Sequence, residues 1–343
     1  RYDVHELLRQ YADEKLSATL DGEVQAGDRH CDYYAAALER WGEQFKGARQ
    51  QMALAEASAE NDNVRAAWQW AVENGQVAPI DQALDGLCLF HDERSRYQEG
   101  EAACRAAAEM ATLPPSSDET AAGAAKRVRL RAKTLTWQGY FGWFLGRTEQ
   151  GHQLLDQALT LLDGPELVGQ DIRPEKAAIF YASGILASDV HREKAEGWFE
   201  KSLTLYRALD DRWRMARALE QVGFTAWYLG AYDRARRRCE EALVIQRELG
   251  DRSGTASSLG TLSQIAHSTG ECADSVRLAR EAQDLYEEMN EWVHVANKGL
   301  GAAYFWSGEF GESLTLIEES RARFAELGSR RAIVTISMQL SWL

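Results

Sequence analysis

The sequence predicts an all-helical protein built as a solenoid of antiparallel helix pairs. Three observations carry this. Ala, Leu, Glu, Arg and Gln, all strong helix formers, dominate a chain of 343 residues that holds only 5 prolines. Apolar residues recur at three- and four-residue intervals over most of the length. One block of residues returns about every 40 positions, the mark of a repeat array rather than of independent domains.

The clearest self-similarity lies between Arg212 and Gly328. Glycines recur at Gly230, Gly270 and Gly308; small residues follow at Ala235, Ser275 and Ser313, and again at Ala242, Ala282 and Ser320. A glycine between two helices accepts positive φ without steric cost. The small residues let the second helix approach its neighbours closely, where a larger side chain would overpack the contact. Leu219, Val222, Leu262, Ile265 and Leu300 fall on the inward stripe and are expected to form a continuous core, since no helix pair can bury its apolar face alone. An earlier unit, Arg131–Gly164, carries Gly139, Gly146, Gly151 and Ala158 at matching offsets. The next, Glu175–Asp211, keeps Ala195 and Ser202 but lacks the loop glycine and has two extra residues around Asp189–Arg192. The array is expected to be truncated near Leu343, where Arg330–Leu343 begins another first helix, and the start at Arg1 is expected to mark a piece of a longer protein.

These offsets resemble the tetratricopeptide repeat, in a long form, over residues 126–343. The resemblance implies a right-handed superhelix whose first helices line a concave face.

Residues 21–112 read as an amino-terminal helical segment with irregular repeats. Asp28–Asn74 is expected to hold two helices, with Tyr33, Tyr34, Leu38 and Trp41 on one apolar stripe and Val64, Ala67, Trp68 and Ala71 on the other. Ile80–Phe90 and Tyr97–Met110 form a further pair, with Gly100 and Ala107 at its small positions. Residues 113–125 read as a linker, because two prolines and a Ser/Asp/Thr cluster break the helix there.

Residues 1–20 carry a motif. Val4-His5-Glu6 followed by Leu7, Leu8 and Arg9 resembles the carboxy-terminal end of the winged-helix domain in STAND-class signalling ATPases, the NB-ARC proteins and related bacterial regulators. Tyr33-Tyr34, the Asn61–Trp68 segment and Tyr97-Gln98-Glu99-Gly100 resemble the region downstream of that domain in bacterial members. The resemblance implies that His5 senses nucleotide in the parent protein, facing the phosphates of the ADP-bound resting state. Val4 and Glu6 replace the commonest residues of the motif, and the chain contains no GxxxxGK[ST] loop. No cofactor is therefore expected in this chain, with ADP or ATP and Mg expected in the parent.

The formal net charge is −14, which repels nucleic acid unless a local basic patch overrides it. The Arg234, Arg236, Arg237 and Arg238 cluster reads as a solvated helix face, so no direct nucleic acid contact is expected. The 5 cysteines form no CxxC pair and fit a reducing cytoplasm. No run reaches the ~18 apolar residues of a membrane helix. HExxH, GxSxG and EF-hand patterns are absent, histidines are scattered, and His191 and Glu193 read as loop residues short of a metal site, so neither catalysis nor a metal is expected.

Function is expected on the concave face. Projecting the first helices places Lys133, Thr136, Tyr140, Trp143, Phe144, Arg217, Glu220, Phe224, Trp227, Tyr228, Gln264, His267, Lys298, Phe305 and Trp306 there. Aromatic pairs recur just before the loop glycines, and either both members pack between helices or one points into the groove. Aromatics and Arg dominate binding hot spots. The groove is expected to hold a protein, a peptide or a small-molecule inducer, as the sensor arm of a STAND-type ATPase that relieves autoinhibition and leaves room for the parent to oligomerise. The alternative is a constitutive scaffold for one protein partner.

Overall fold

The computed structural model describes residues 20–113, 120–289, 308 and 310–326. The fold is an all-helical, right-handed tetratricopeptide-like solenoid. Its helices are α1 (Leu20–Gln44), α2 (Gln50–Ala59), α3 (Asn61–Glu73), α4 (Val77–Glu93), α5 (Tyr97–Met110), α6 (Ala121–Phe144), α7 (Thr148–Leu162), α8 (Arg173–Ala187), α9 (Arg192–Ala208), α10 (Arg212–Tyr228), α11 (Tyr232–Leu249), α12 (Arg252–Ser268), α13 (Cys272–Glu288) and α14 (Phe310–Glu326).

The repeat logic holds in α6–α13. Gly146, Gly230 and Gly270 adopt φ of 74°, 76° and 83° at the turn inside each pair, a region that costs other residues strain. Ala235, Ala242, Ala282 and Ser275 are buried, as are Leu219, Val222, Leu262 and Ile265. A Cβ on Gly223 would stand 2.4 Å from the Cys239 sulfur, which shows how closely α10 and α11 approach. Asp211 and Asp251 cap α10 and α12 by accepting from the N–H groups of Arg214 and Gly254. Where the loop glycine is missing, α8 ends at Ala187, and His191 becomes the cap position of α9, with Glu193 in its first turn rather than in a loop.

The amino-terminal segment differs from the expectation in three places. Asp28–Asn74 holds three helices, because the chain turns at Phe45–Arg49 and again at Glu60. Tyr33 is 64% exposed, so the buried stripe of α1 is Tyr34, Leu38 and Trp41. Helix α6 starts at Ala121, inside the span expected as linker, because the Thr120 side chain accepts from Gly123 N–H at 3.1 Å and nucleates it there. Helices α1 and α4 cross at backbone contact: a Cβ on Gly86 would lie 2.0 Å from the Leu38 carbonyl oxygen.

The chain also closes on itself. The turn between α1 and α2 reaches the turn between α11 and α12, where a Cβ on Gly47 would meet the Leu249 carbonyl oxygen at 2.7 Å. Gln50 Oε1 accepts from Ser253 N–H at 3.4 Å, and Gln51 Nε2 donates to the Glu288 carbonyl at 2.6 Å. This seam turns the concave face from an open trough into a bounded space.

Candidate functional site

The first helices of successive pairs come together around an open-mouthed cavity, α4 and α6 through their central and carboxy-terminal turns and α8 and α10 through their amino-terminal and central ones. Helix α4 contributes Asp85 and Leu89, α6 contributes Lys133, Thr136, Trp137 and Tyr140, and α8 contributes Glu175, Ala178, Tyr181 and Ala182. Trp213, Arg214 and Arg217 come from α10, with Tyr206 from the last turn of α9 and Asp211 from the cap of α10.

Every charged group on the wall has a counter-charge. Arg214 bridges Asp85 at 3.0 Å and Asp211 at 2.8 Å. Lys133 donates to Asp81 at 2.7 Å. Arg217 donates to Asp92 at 3.2 Å, and Tyr140 Oη donates to the same carboxylate at 3.0 Å. Glu175 faces Arg129 at 3.4 Å. Asp92 is buried, so its two donors are what make its charge tolerable there.

The electrostatics follow from this pairing. Burial by itself would push the Asp85 carboxyl up, but Arg214, Lys133 and the Trp137 N–H outweigh it and hold it down at about 2. Asp85 keeps 41% of its side-chain surface accessible and lines the cavity. Burial also works against the charge on Arg217, yet the oxygens of Tyr181, Tyr140 and Asp92 overcome it and raise its pKa. Behind the wall, Asp251 accepts from Trp213 Nε1 at 2.9 Å, and burial pushes its carboxyl up to about 6 against the pull of the Gly254 N–H and Arg217.

The aromatic rings face the cations. The Arg217 guanidinium lies 4.9 Å from the Trp213 ring and 5.6 Å from the Tyr181 ring. Lys46, on the turn that forms the seam, stands 5.9 Å from the same Trp213 ring, so the seam abuts the cavity wall.

Of the residues picked from sequence, Lys133, Thr136, Tyr140 and Arg217 line this cavity. The other described ones do not join it. Phe144 stacks on Tyr97 with ring centroids 4.0 Å apart, and Trp143 packs edge-on to Phe144 at 4.7 Å. Glu220 is buried and accepts from the Ser257 hydroxyl. Phe224, Trp227 and Tyr228 pack on one another at 4.5–5.8 Å, and Trp227 Nε1 donates to Ser268 Oγ at 2.8 Å. Gln264 and His267 are half-buried on α12, away from the cavity lining. His5, Lys298, Phe305 and Trp306 lie outside the described residues.

Sequence reading missed Asp85, Trp137, Tyr181, Tyr206, Trp213 and Arg214. The signal for two of them was present: Lys133, Trp137 and Tyr140 share one helical stripe, as do Trp213 and Arg217. Carboxylates at Asp81, Asp85 and Asp92 on α4 were a further sign that this helix faces something polar.

The basic cluster on α11 is largely paired. Arg234 meets Glu196 at 2.7 Å, Arg236 meets Glu271 at 2.7 Å and Arg238 meets Glu200 at 3.1 Å. Among the described residues no group of three or more His, Cys, Asp or Glu is placed to hold a metal ion, and no helix is long and apolar enough to cross a membrane.

The tetratricopeptide repeat family model matches residues 214–288, which form a region of such repeats. The chain is 27% identical over 302 residues to candidate HTH-type transcriptional regulators of Mycobacterium bovis and Mycobacterium tuberculosis, covering 88% of this chain and 32% of theirs. The chain thus spans about a third of the length of the curated relatives it matches. Among solved structures it is similar to a Pyrococcus horikoshii STAND protein with a tetratricopeptide repeat sensor (TM-score 0.53, 11% identity, 98% of this chain and 52% of that one). It is also similar to a Rap protein complexed with competence and sporulation factor (TM-score 0.51, 13% identity, 91% of this chain and 97% of that one). At these identities the two structures share the fold.

Proposed function

We propose that this chain is the sensor arm of a STAND-type signalling ATPase that regulates transcription, and that it binds a ligand or partner in the cavity instead of catalysing a reaction. The observation that carries this is the charge-paired, aromatic-walled cavity assembled from α4, α6, α8 and α10. A void walled by paired charges is costly to maintain, since filling it with apolar side chains would be neutral or stabilising. Its presence fits a binding role. Similarity to regulators three times longer supports a place within a larger switch, with the nucleotide motor and His5 acting in the parent.

Coupling requires the ligand to bind the active and resting states with different affinity. The test is to compare ADP and ATP preference and assembly of the full-length protein with and without this arm. Loss of the resting-state ADP preference on deletion is the expected result; unchanged preference and assembly would end the sensor reading.

The alternative, a constitutive protein-binding scaffold, draws on the Phe224–Trp227–Tyr228 ladder, which presents a partly exposed surface beyond the cavity, with Tyr228 49% exposed. A partner retained equally by ADP-bound and ATP-bound protein, and released by Tyr228→Ala, would favour it.

A further inference from the structure

The pairing of charges around the cavity narrows what can occupy it. We infer that the cavity binds a compact small molecule that carries no negative charge and has a planar aromatic or polycyclic body with hydrogen-bonding edges; this rests on the sensor reading above and deepens it.

Charge comes first. Lys133, Arg214, Arg217, Asp85, Asp211 and Glu175 are the ionisable wall residues of formal charge at neutral pH, and each one already meets an opposite charge of the protein within 4.0 Å. An anionic ligand would find no uncommitted cation, since Lys133 and Arg217 each answer a carboxylate and Arg214 answers two, whereas Glu175 Oε2 is buried without a hydrogen-bond donor of its own. An anion would have to draw a cation away from its carboxylate, which at Arg217 would leave buried Asp92 uncompensated, or lie unpaired itself. A ligand without negative charge avoids both costs.

Hydrogen bonding comes second. Lys133 and the two guanidiniums carry more N–H groups than their carboxylates take up, and they have no acceptor capacity. Tyr181 and Tyr206 add phenolic hydroxyls on the same wall. Carbonyl, ether or hydroxyl oxygens on the ligand edge would meet these donors without bringing charge.

Shape comes third. Trp137, Tyr140, Tyr181, Tyr206 and Trp213 surround the space with rings, and rings recognise flat bodies by offset or edge-on contact. The seam at Gly47 and Gln50 bounds the concave face beside Trp213, so an extended peptide running toward α12 would meet it. A compact ligand would not.

Two fluorescent probes with the same ring system test this on the intact chain: uncharged N-phenyl-1-naphthylamine, and 1-anilinonaphthalene-8-sulfonate, which adds one negative charge. The uncharged probe should saturate one site and bind at least about ten-fold more tightly than the sulfonate. Ala178 lines the cavity and is half-buried, so Ala178→Phe grows into the void and should weaken the uncharged probe by about ten-fold or more. Ala178→Leu, a smaller intrusion, should weaken it in the same direction and serves if the Phe variant does not fold. Equal or tighter binding of the sulfonate, or uncharged-probe binding indifferent to a folded Ala178 variant, would overturn the inference. The sensor reading is separable: if probe binding behaves as stated while the full-length protein keeps the same nucleotide preference without its arm, the cavity inference stands and the sensor reading falls.

Discussion

Two aromatic stretches share the concave side of this solenoid, and they are built in opposite ways. Around the cavity the rings of Trp213 and Tyr181 face Arg217, which is itself anchored to Asp92 on a helix 125 residues away in sequence. At the end of α10, Phe224, Trp227 and Tyr228 face each other, and Arg192 sits over the Tyr228 ring at 4.4 Å from outside. Paired charges act as props: they cannot collapse into apolar contact without losing their partners, so the rings they separate enclose a space. Rings without such props close on themselves. In this chain the aromatic face encloses a space where paired charges line it.

The sharpest way to break this contrast is to remove a prop. Arg217→Met leaves Asp92 buried with its ion pair gone, and should cost about 3–5 kcal/mol in urea unfolding. Adding Asp92→Leu should restore much of that loss, because the uncompensated charge goes too. If the single variant cost under about 1 kcal/mol, the props would not be holding the wall.

The carboxylate behind Trp213 should give the next largest effect. The folded-state pKa of Asp251 is raised to about 6, above its ordinary value of 3.8. Its contribution to stability is therefore fully present below the ordinary value and is lost as pH rises through about 6. The loss should reach about 2–3 kcal/mol across that window. Buried His91 runs the other way, since burial and then Arg96 lower it to about 4 and stability falls as pH drops from 6.5 toward that value. The difference between wild type and Asp251→Asn isolates the aspartate. The variant should lose this rise in stability toward acid pH, at a constant cost of about 1 kcal/mol for one hydrogen-bond acceptor. A pH profile parallel to the wild type would mean that Asp251 is ionised in the fold.

The ladder should respond less. Trp227→Ala removes a half-buried ring and its bond to Ser268, for about 1–2 kcal/mol by thermal unfolding. A cost equal to that of Arg217→Met would erase the distinction between the two stretches. Smallest of all, Tyr228→Ala at a half-exposed position should change stability by no more than about 0.5 kcal/mol.

Several features were legible before any coordinates. The repeat period, the turn glycines at Gly146, Gly230 and Gly270, and the buried small residues Ala235, Ala242 and Ala282 follow from short-range rules of helix termination and close packing. Lys133, Tyr140 and Arg217 were also reachable by projecting a helix. The same projection placed Trp143, Phe144, Trp227 and Tyr228 with them, and these stand outside the cavity. Helical phase says which side a residue takes, but not whether a neighbour fills the space in front of it. Tyr97 fills it for Phe144, and the ladder fills it for itself.

By itself the sequence determined an all-helical array of stacked pairs, because helix propensity, capping and three-to-four periodicity act within a few residues. The tertiary structure alone decided where that array encloses a space. That outcome depends on Asp85 and Asp92 meeting Arg214 and Arg217, and on the turn at Gly47 meeting the turn at Gly250. These contacts join segments more than 120 residues apart, and they depend on how far each helix pair rotates on the last, a quantity set by packing along the whole stack.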